Sequence, residues 1–168
     1  MENEIKELIK VLKESAEIFY NKEIELINNG VCERCVMFKF GTYFQKQIQK
    51  SKLLKKYNLD CEYNRNKYKP KNTRRFPKGT YPDIILHKRG KNTNNLAIIE
   101  CKMKRESWKR EKGNIEKDII KIEDFTDGNQ YCFDCGIILI FKDKGIEYKI
   151  KRRNIIEWEE MQQVYFIE

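Results

Sequence analysis

No stretch of this 168-residue chain reaches the roughly 18 consecutive apolar residues that a membrane-spanning helix needs. The first residues, Met1-Glu2-Asn3-Glu4-Ile5-Lys6, alternate charge and lack the apolar core of a secretion signal. A cytoplasmic protein without membrane contact is the expectation. Histidine is almost absent: His87 is the single one. Serines and threonines form no nucleophile–base arrangement, and no glycine-rich phosphate loop is present. These absences remove serine-hydrolase and P-loop chemistry. There is also no internal repeat, no low-complexity tract and no added sequence-recognition domain. The length suits one domain, residues 1–168.

Charge, by contrast, is plentiful and uneven. The formal net charge is +9, which favours an anionic partner such as nucleic acid. Six lysines and no acid lie between Lys39 and Lys56. Residues 64–78 hold seven basic side chains, Arg65, Lys67, Lys69, Lys71, Arg74, Arg75 and Lys78, again with no acid. Tyr68 and Phe76 are interleaved, and Pro70, Pro77 and Gly79 mark the stretch as a loop. The expectation is a flexible basic arm that neutralises phosphates, giving salt-sensitive and sequence-independent affinity. An ordinary solvated loop is the competing explanation.

Apolar periodicity orders the elements. Ile5, Leu8, Ile9, Leu12, Ala16 and Phe19 recur at helical spacing, extended through Ile24 and Ile27 until Asn28-Asn29-Gly30. A second helix starts near Val31 or Cys32 and buries Val36, Met37, Phe40, Tyr43, Phe44 and Ile48, with Glu33 favourably placed in its first turn. Strands are expected at 59–63, 81–87, 96–102, 136–141 and 146–150, with a helix over 114–125. The tail from Asn154 reads either as a helix through Met161 or as an edge strand over 164–167. Strand 96–102, the helix and strand 136–141 make a right-handed crossover with parallel strands, so the sheet is mixed and covered by helices.

The segments 81–87 and 96–102 flank a polar turn. A hairpin centred between Lys91 and Asn92 pairs residues whose numbers sum to 183, which sets Asp83 opposite Glu100. Glu100 and Lys102, two apart, share that face. Two carboxylates and a lysine thus interrupt strands that are otherwise apolar, where an unpaired charge is costly. A metal-dependent hydrolysis site is the outline; a solvated hairpin face is the alternative.

Pro82-Asp83, sixteen intervening residues and Glu100-Cys101-Lys102, set on this order of elements, resemble the PD-(D/E)XK, or restriction-endonuclease-like, nuclease superfamily. Glu33-Arg34, the run 60–65 and the run 82–90 are also similar to small bacterial and phage members. The resemblance spans about residues 31–141. It implies an α/β fold with a mixed sheet, an αβββαβ core, an extra N-terminal helix and a C-terminal strand or helix extension. It implies that Asp83 and Glu100 bind magnesium, with manganese as a substitute, and that the Cys101 carbonyl and, through a water, Glu33 complete the ligand set. Lys102 would orient or deprotonate the attacking water, or offset phosphate charge. Glu62 competes with Glu33 for the acidic role, its alternative being a structural pair with Arg34 or Arg65.

Cys32/Cys35 and Cys132/Cys135 each form a C-x-x-C, the arrangement of a structural zinc site. The crossover topology sets Cys132/Cys135 near the start of strand 96–102, and Cys32/Cys35 go to its other end if Glu33 serves the site as the resemblance implies, which argues against one shared zinc. Cys61 and Cys101 read as buried apolar residues. His87 reads as a local hydrogen-bonding group, and Trp108 and Trp158 as packing or contact residues. The functional expectation is a magnesium-dependent phosphodiesterase, DNA favoured over RNA, whose specificity would come from a targeting partner or a homodimer. The alternative is a non-catalytic nucleic-acid-binding module, or a partner-dependent subunit with the same fold.

Overall fold

A computed structural model describes residues 1–66, 68–91, 94–104 and 112–167, with the side chains of 112–114 outside that description. Helices α1 (Glu2–Asn28) and α2 (Glu33–Lys50) come first, then β1 (Asn58–Cys61). Two short strands, β2 (Arg65–Asn66) and β3 (Lys69–Pro70), pair with each other. β4 (Ile84–His87), β5 (Asn95–Met103), α3 (Lys112–Thr126), β6 (Phe133–Phe141), β7 (Gly145–Arg152) and β8 (Gln162–Tyr165) complete the order. The main sheet has six strands in the order β1-β4-β5-β6-β7-β8. Only β5 and β6 are parallel; the other neighbours are antiparallel. The tail is therefore an edge strand, not a helix. Among the described residues no helix is long and apolar enough to cross a membrane.

The α1 stripe buries Ile5, Leu8, Leu12, Ala16 and Phe19 against the sheet. A kink at Glu23 separates that stripe from Ile27. Gly30 adopts φ +65, and the Gly30 and Val31 amides return to the Ile27 and Leu26 carbonyls. That pattern closes the helix and frees the chain to turn into α2.

Alternation along β5 divides the interior. Ile99, Cys101 and Met103 join Phe19, Val36, Phe40 and Phe141 in the larger apolar cluster on the α1/α2 side. Ile98 joins Ile85, Ile122, Phe125 and Ile138 on the α3 side. Each such buried side chain contributes about 1.5–3 kcal/mol of apolar burial. Gly136 lets α3 approach β6, since a Cβ there would stand 2.1 Å from Ile122 Cγ2. That approach fixes where the polar residues of α3 meet the sheet.

Candidate active site

The β4–β5 register pairs Ile84 with Ile99 and Ile85 with Ile98, the sum of 183 expected from the turn. Asp83, one residue before β4, therefore adjoins Glu100. Its Oδ2 accepts the Cys101 amide at 2.8 Å, replacing a strand partner where β4 has not yet begun. Glu100 is 1% exposed in the middle of a wholly buried strand. Its Oε2 accepts from Lys121 Nζ at 2.5 Å, while Oε1 has no hydrogen-bond partner among the described residues. Such an unsatisfied buried oxygen is costly.

Lys102 lies on the same side of β5. Its Nζ donates to Glu33 Oε1 at 3.2 Å and to the Cys101 carbonyl at 3.1 Å, and stands 3.1 Å from Asp118 Oδ2. Glu33 reaches over the end of β5 from the first turn of α2, where its Oε2 also accepts the Met103 amide at 3.3 Å. Helix α3 completes the cluster. Lys121 Nζ is 3.5 Å from Asp118 Oδ1 and donates to the Tyr81 carbonyl at 3.3 Å. Glu33, Asp83, Glu100 and Lys102 thus meet, together with Asp118 and Lys121. The signal for Asp118 was an acid in the Ile115, Ile122, Phe125 stripe of α3. Lys121 had none, because it neighbours that stripe as an ordinary surface lysine would.

Burial pushes both carboxylates up. Asp83 is raised by burial, partly offset by the Cys101 amide and the lysines. Glu100 is raised well above the usual range by burial first and by the charge of Asp83 second. Burial works against the Lys102 ammonium, but Asp118 and Glu33 outweigh it and hold the charge on. The same holds for Lys121 beside Glu100. Their carboxylate neighbours thus favour the charged form of both lysines.

Among the described residues no group of three or more His, Cys, Asp or Glu side chains is arranged to hold a metal ion, and Lys102 and Lys121 pair with the carboxylates. Asp83, Glu100 and the Cys101 carbonyl nonetheless offer hard oxygen donors, and Glu100 Oε1 lacks a hydrogen-bond partner among the described residues. Magnesium keeps several of its waters and takes one or two carboxylates, so this donor set fits it.

The basic stretch is not a free arm. β2 and β3 give it structure, and Lys71 turns inward, 4% exposed, over the rings of Tyr63 at 4.8 Å and Tyr131 at 5.5 Å. Burial lowers its pKa to about 8. Arg75 is held by Asp124 and Glu123 on α3, at 2.7 and 3.0 Å. Thr73 also donates to Asp124, at 2.5 Å. Lys71 and Arg75 therefore anchor the segment to the rest of the fold. Arg65, Lys69, Arg74 and Lys78 are exposed, and Lys67 lies outside the described residues. Tyr68 is 98% and Tyr81 60% exposed.

The remaining candidates have local partners. Glu62 accepts from Arg34 Nε at 3.0 Å, the structural pair weighed against a site role. His87, buried, has Nε2 2.8 Å from Asp60 Oδ2. Cys101 is buried, but Cys61 is exposed because β1 lies at the sheet edge. Cys135 sits opposite Ala97 near the start of β5, whereas Cys32 precedes α2 at the other end. Trp158 bridges to Lys151, and Trp108 lies outside the described residues. Comparison with protein-family models, curated proteins and solved structures finds no match.

Proposed function

We propose that this chain is a divalent-metal-dependent nuclease of the PD-(D/E)XK, restriction-endonuclease-like type, hydrolysing phosphodiester bonds in DNA. One observation carries the reading: Asp83, just before β4, adjoins Glu100 within buried β5, with Lys102 beside them and Glu100 Oε1 without a hydrogen-bond partner among the described residues. Asp83, Glu100 and the Cys101 carbonyl would hold magnesium or manganese. The ion would supply Lewis acidity and lower the pKa of a bound water. Water adds to phosphorus, the bond to the leaving sugar oxygen breaks, and a phosphate monoester and an alcohol result. Lys102, kept as an ammonium by Asp118 and Glu33, offsets negative charge that grows on the phosphate. Glu33 acts as its positioning partner. Exposed Arg65, Lys69, Arg74 and Lys78 suit contacts to flanking phosphates.

A non-catalytic nucleic-acid-binding module is the second reading. It is favoured by Lys102 and Lys121, which already pair with Glu33 and Glu100 from within the chain. Plasmid, linear duplex, single-stranded DNA and RNA incubated with magnesium, manganese or chelator separate the two. Metal-dependent cutting by wild type, lost in Asp83→Ala and Lys102→Ala, is expected for the nuclease. Salt-sensitive binding without cutting in any metal would replace it with the binding module.

A further inference from the structure

Lys121 has a position that the hydrolytic reading alone does not require. Its ammonium is 2.5 Å from Glu100 Oε2, the carboxylate most deeply buried in the cluster. It also stands 3.5 Å from Asp118 Oδ1 and donates to the Tyr81 carbonyl, the residue next to Pro82-Asp83. Asp118 in turn neighbours Lys102 through its other oxygen. Fully ionised, Glu33, Asp83, Glu100 and Asp118 carry four negative charges against two positive ones on Lys102 and Lys121. The excess of two negative charges among these described residues equals the charge of one divalent cation.

Lys121 and that cation want the same carboxylate. A second acceptor, Asp118, lies within a short side-chain movement, so leaving Glu100 does not strand the ammonium in an apolar interior. Resting on the metal-dependent reading above, we propose that Lys121 is an internal counter-ion that competes with the divalent cation for Glu100. Cation binding transfers its ammonium from Glu100 to Asp118, beside Lys102. Helix α3 then senses whether the site is loaded, because one of the ion pairs that tie α3 to β5 changes partner. Lys121 is a positioning residue in this scheme, and it makes no bond to the reacting atoms.

Thermal unfolding of wild type, Lys121→Met and Lys121→Gln, each with chelator and with excess magnesium, tests this. A counter-ion matters when the cation is withheld and loses its importance when the cation is supplied. The melting temperatures of the variants should fall below wild type by on the order of 10 °C in chelator, the loss of a buried pair. In magnesium that gap should shrink to about 2 °C or less. A variant that folds only with magnesium is the extreme form of the same result. A gap of equal size in both conditions, or variants that fold in neither, would mean a purely structural lysine and overturn the proposal while leaving the nuclease reading intact. If magnesium shifts none of the three proteins, the metal-dependent reading itself fails and takes the proposal with it.

Discussion

Along β5, Ile99, Cys101 and Met103 meet α1 and α2 in nearly unbroken apolar packing, whereas Ile98, Glu100 and Lys102 meet α3 through a mixture of isoleucines and charges. The same nine-residue strand serves both sides. On the first side each residue is satisfied by neighbours of its own kind. On the second, the end of the strand gathers carboxylates that burial disfavours and that lysines must hold. Apolar packing dominates one face and buried charge the other, and substitutions should separate accordingly.

Phe40 stacks on Phe44 and meets Phe141 edge-on, fully buried on the apolar side. Phe40→Ala should cost about 3–5 kcal/mol of unfolding free energy, by a similar amount in chelator and in magnesium. Urea titrations in both conditions check this, and a magnesium-dependent loss would blur the division between faces.

On the charged side, pH should act through Lys71. Its pKa is about 8 in the folded chain, below the ordinary lysine value of 10.5. The unfolded chain then binds more protons between those values, so Lys71 makes the fold gain stability as pH rises from about 8 to about 10.5. The gain is up to about 3 kcal/mol at one pKa unit per 1.36 kcal/mol. Lys71→Met should remove that rise. Unfolding free energies of both proteins at pH 7.5 and 10 give the difference directly; parallel curves would show that Lys71 is not desolvated.

Gly136 tests how α3 and the cluster depend on each other. Gly136→Val drives a side chain into Ile122 and should cost about 1–3 kcal/mol. Because Asp118 and Lys121 ride on the displaced helix, the proposed nuclease reading expects cleavage to fall further than in Phe40→Ala, measured well below both melting points. The smallest effects belong to neighbouring arginines. Arg75→Ala, losing its hold on Asp124 and Glu123, should cost about 0.5–1 kcal/mol. Exposed Arg74→Ala should leave stability unchanged and, on the proposed nucleic-acid reading, reduce the salt slope of DNA binding by about one.

Much of this division was legible in the sequence because periodicity and register are local. The 183 sum placed Asp83 against Glu100, and the alternation of β5 put Glu100 and Lys102 on one face. The βαβ order set β6 parallel to β5. What escaped was long-range. Arg75 and Lys71 look like their exposed neighbours until Asp124, Tyr63 and Tyr131 are brought beside them by folding. Lys121 gains its meaning only from Glu100, twenty-one residues away in sequence. The tail was ambiguous because β8 is a short edge strand whose pairing with β7, not its own periodicity, decides it.

The most direct test is a crystal structure grown with manganese, which marks its own position by anomalous scattering. The nuclease reading expects one strong peak within about 2.0–2.4 Å of carboxylate oxygens of both Asp83 and Glu100, and the counter-ion proposal adds that Lys121 turns from Glu100 to Asp118. No peak at that pair, with Lys121 still seated on Glu100 at saturating manganese, would contradict it.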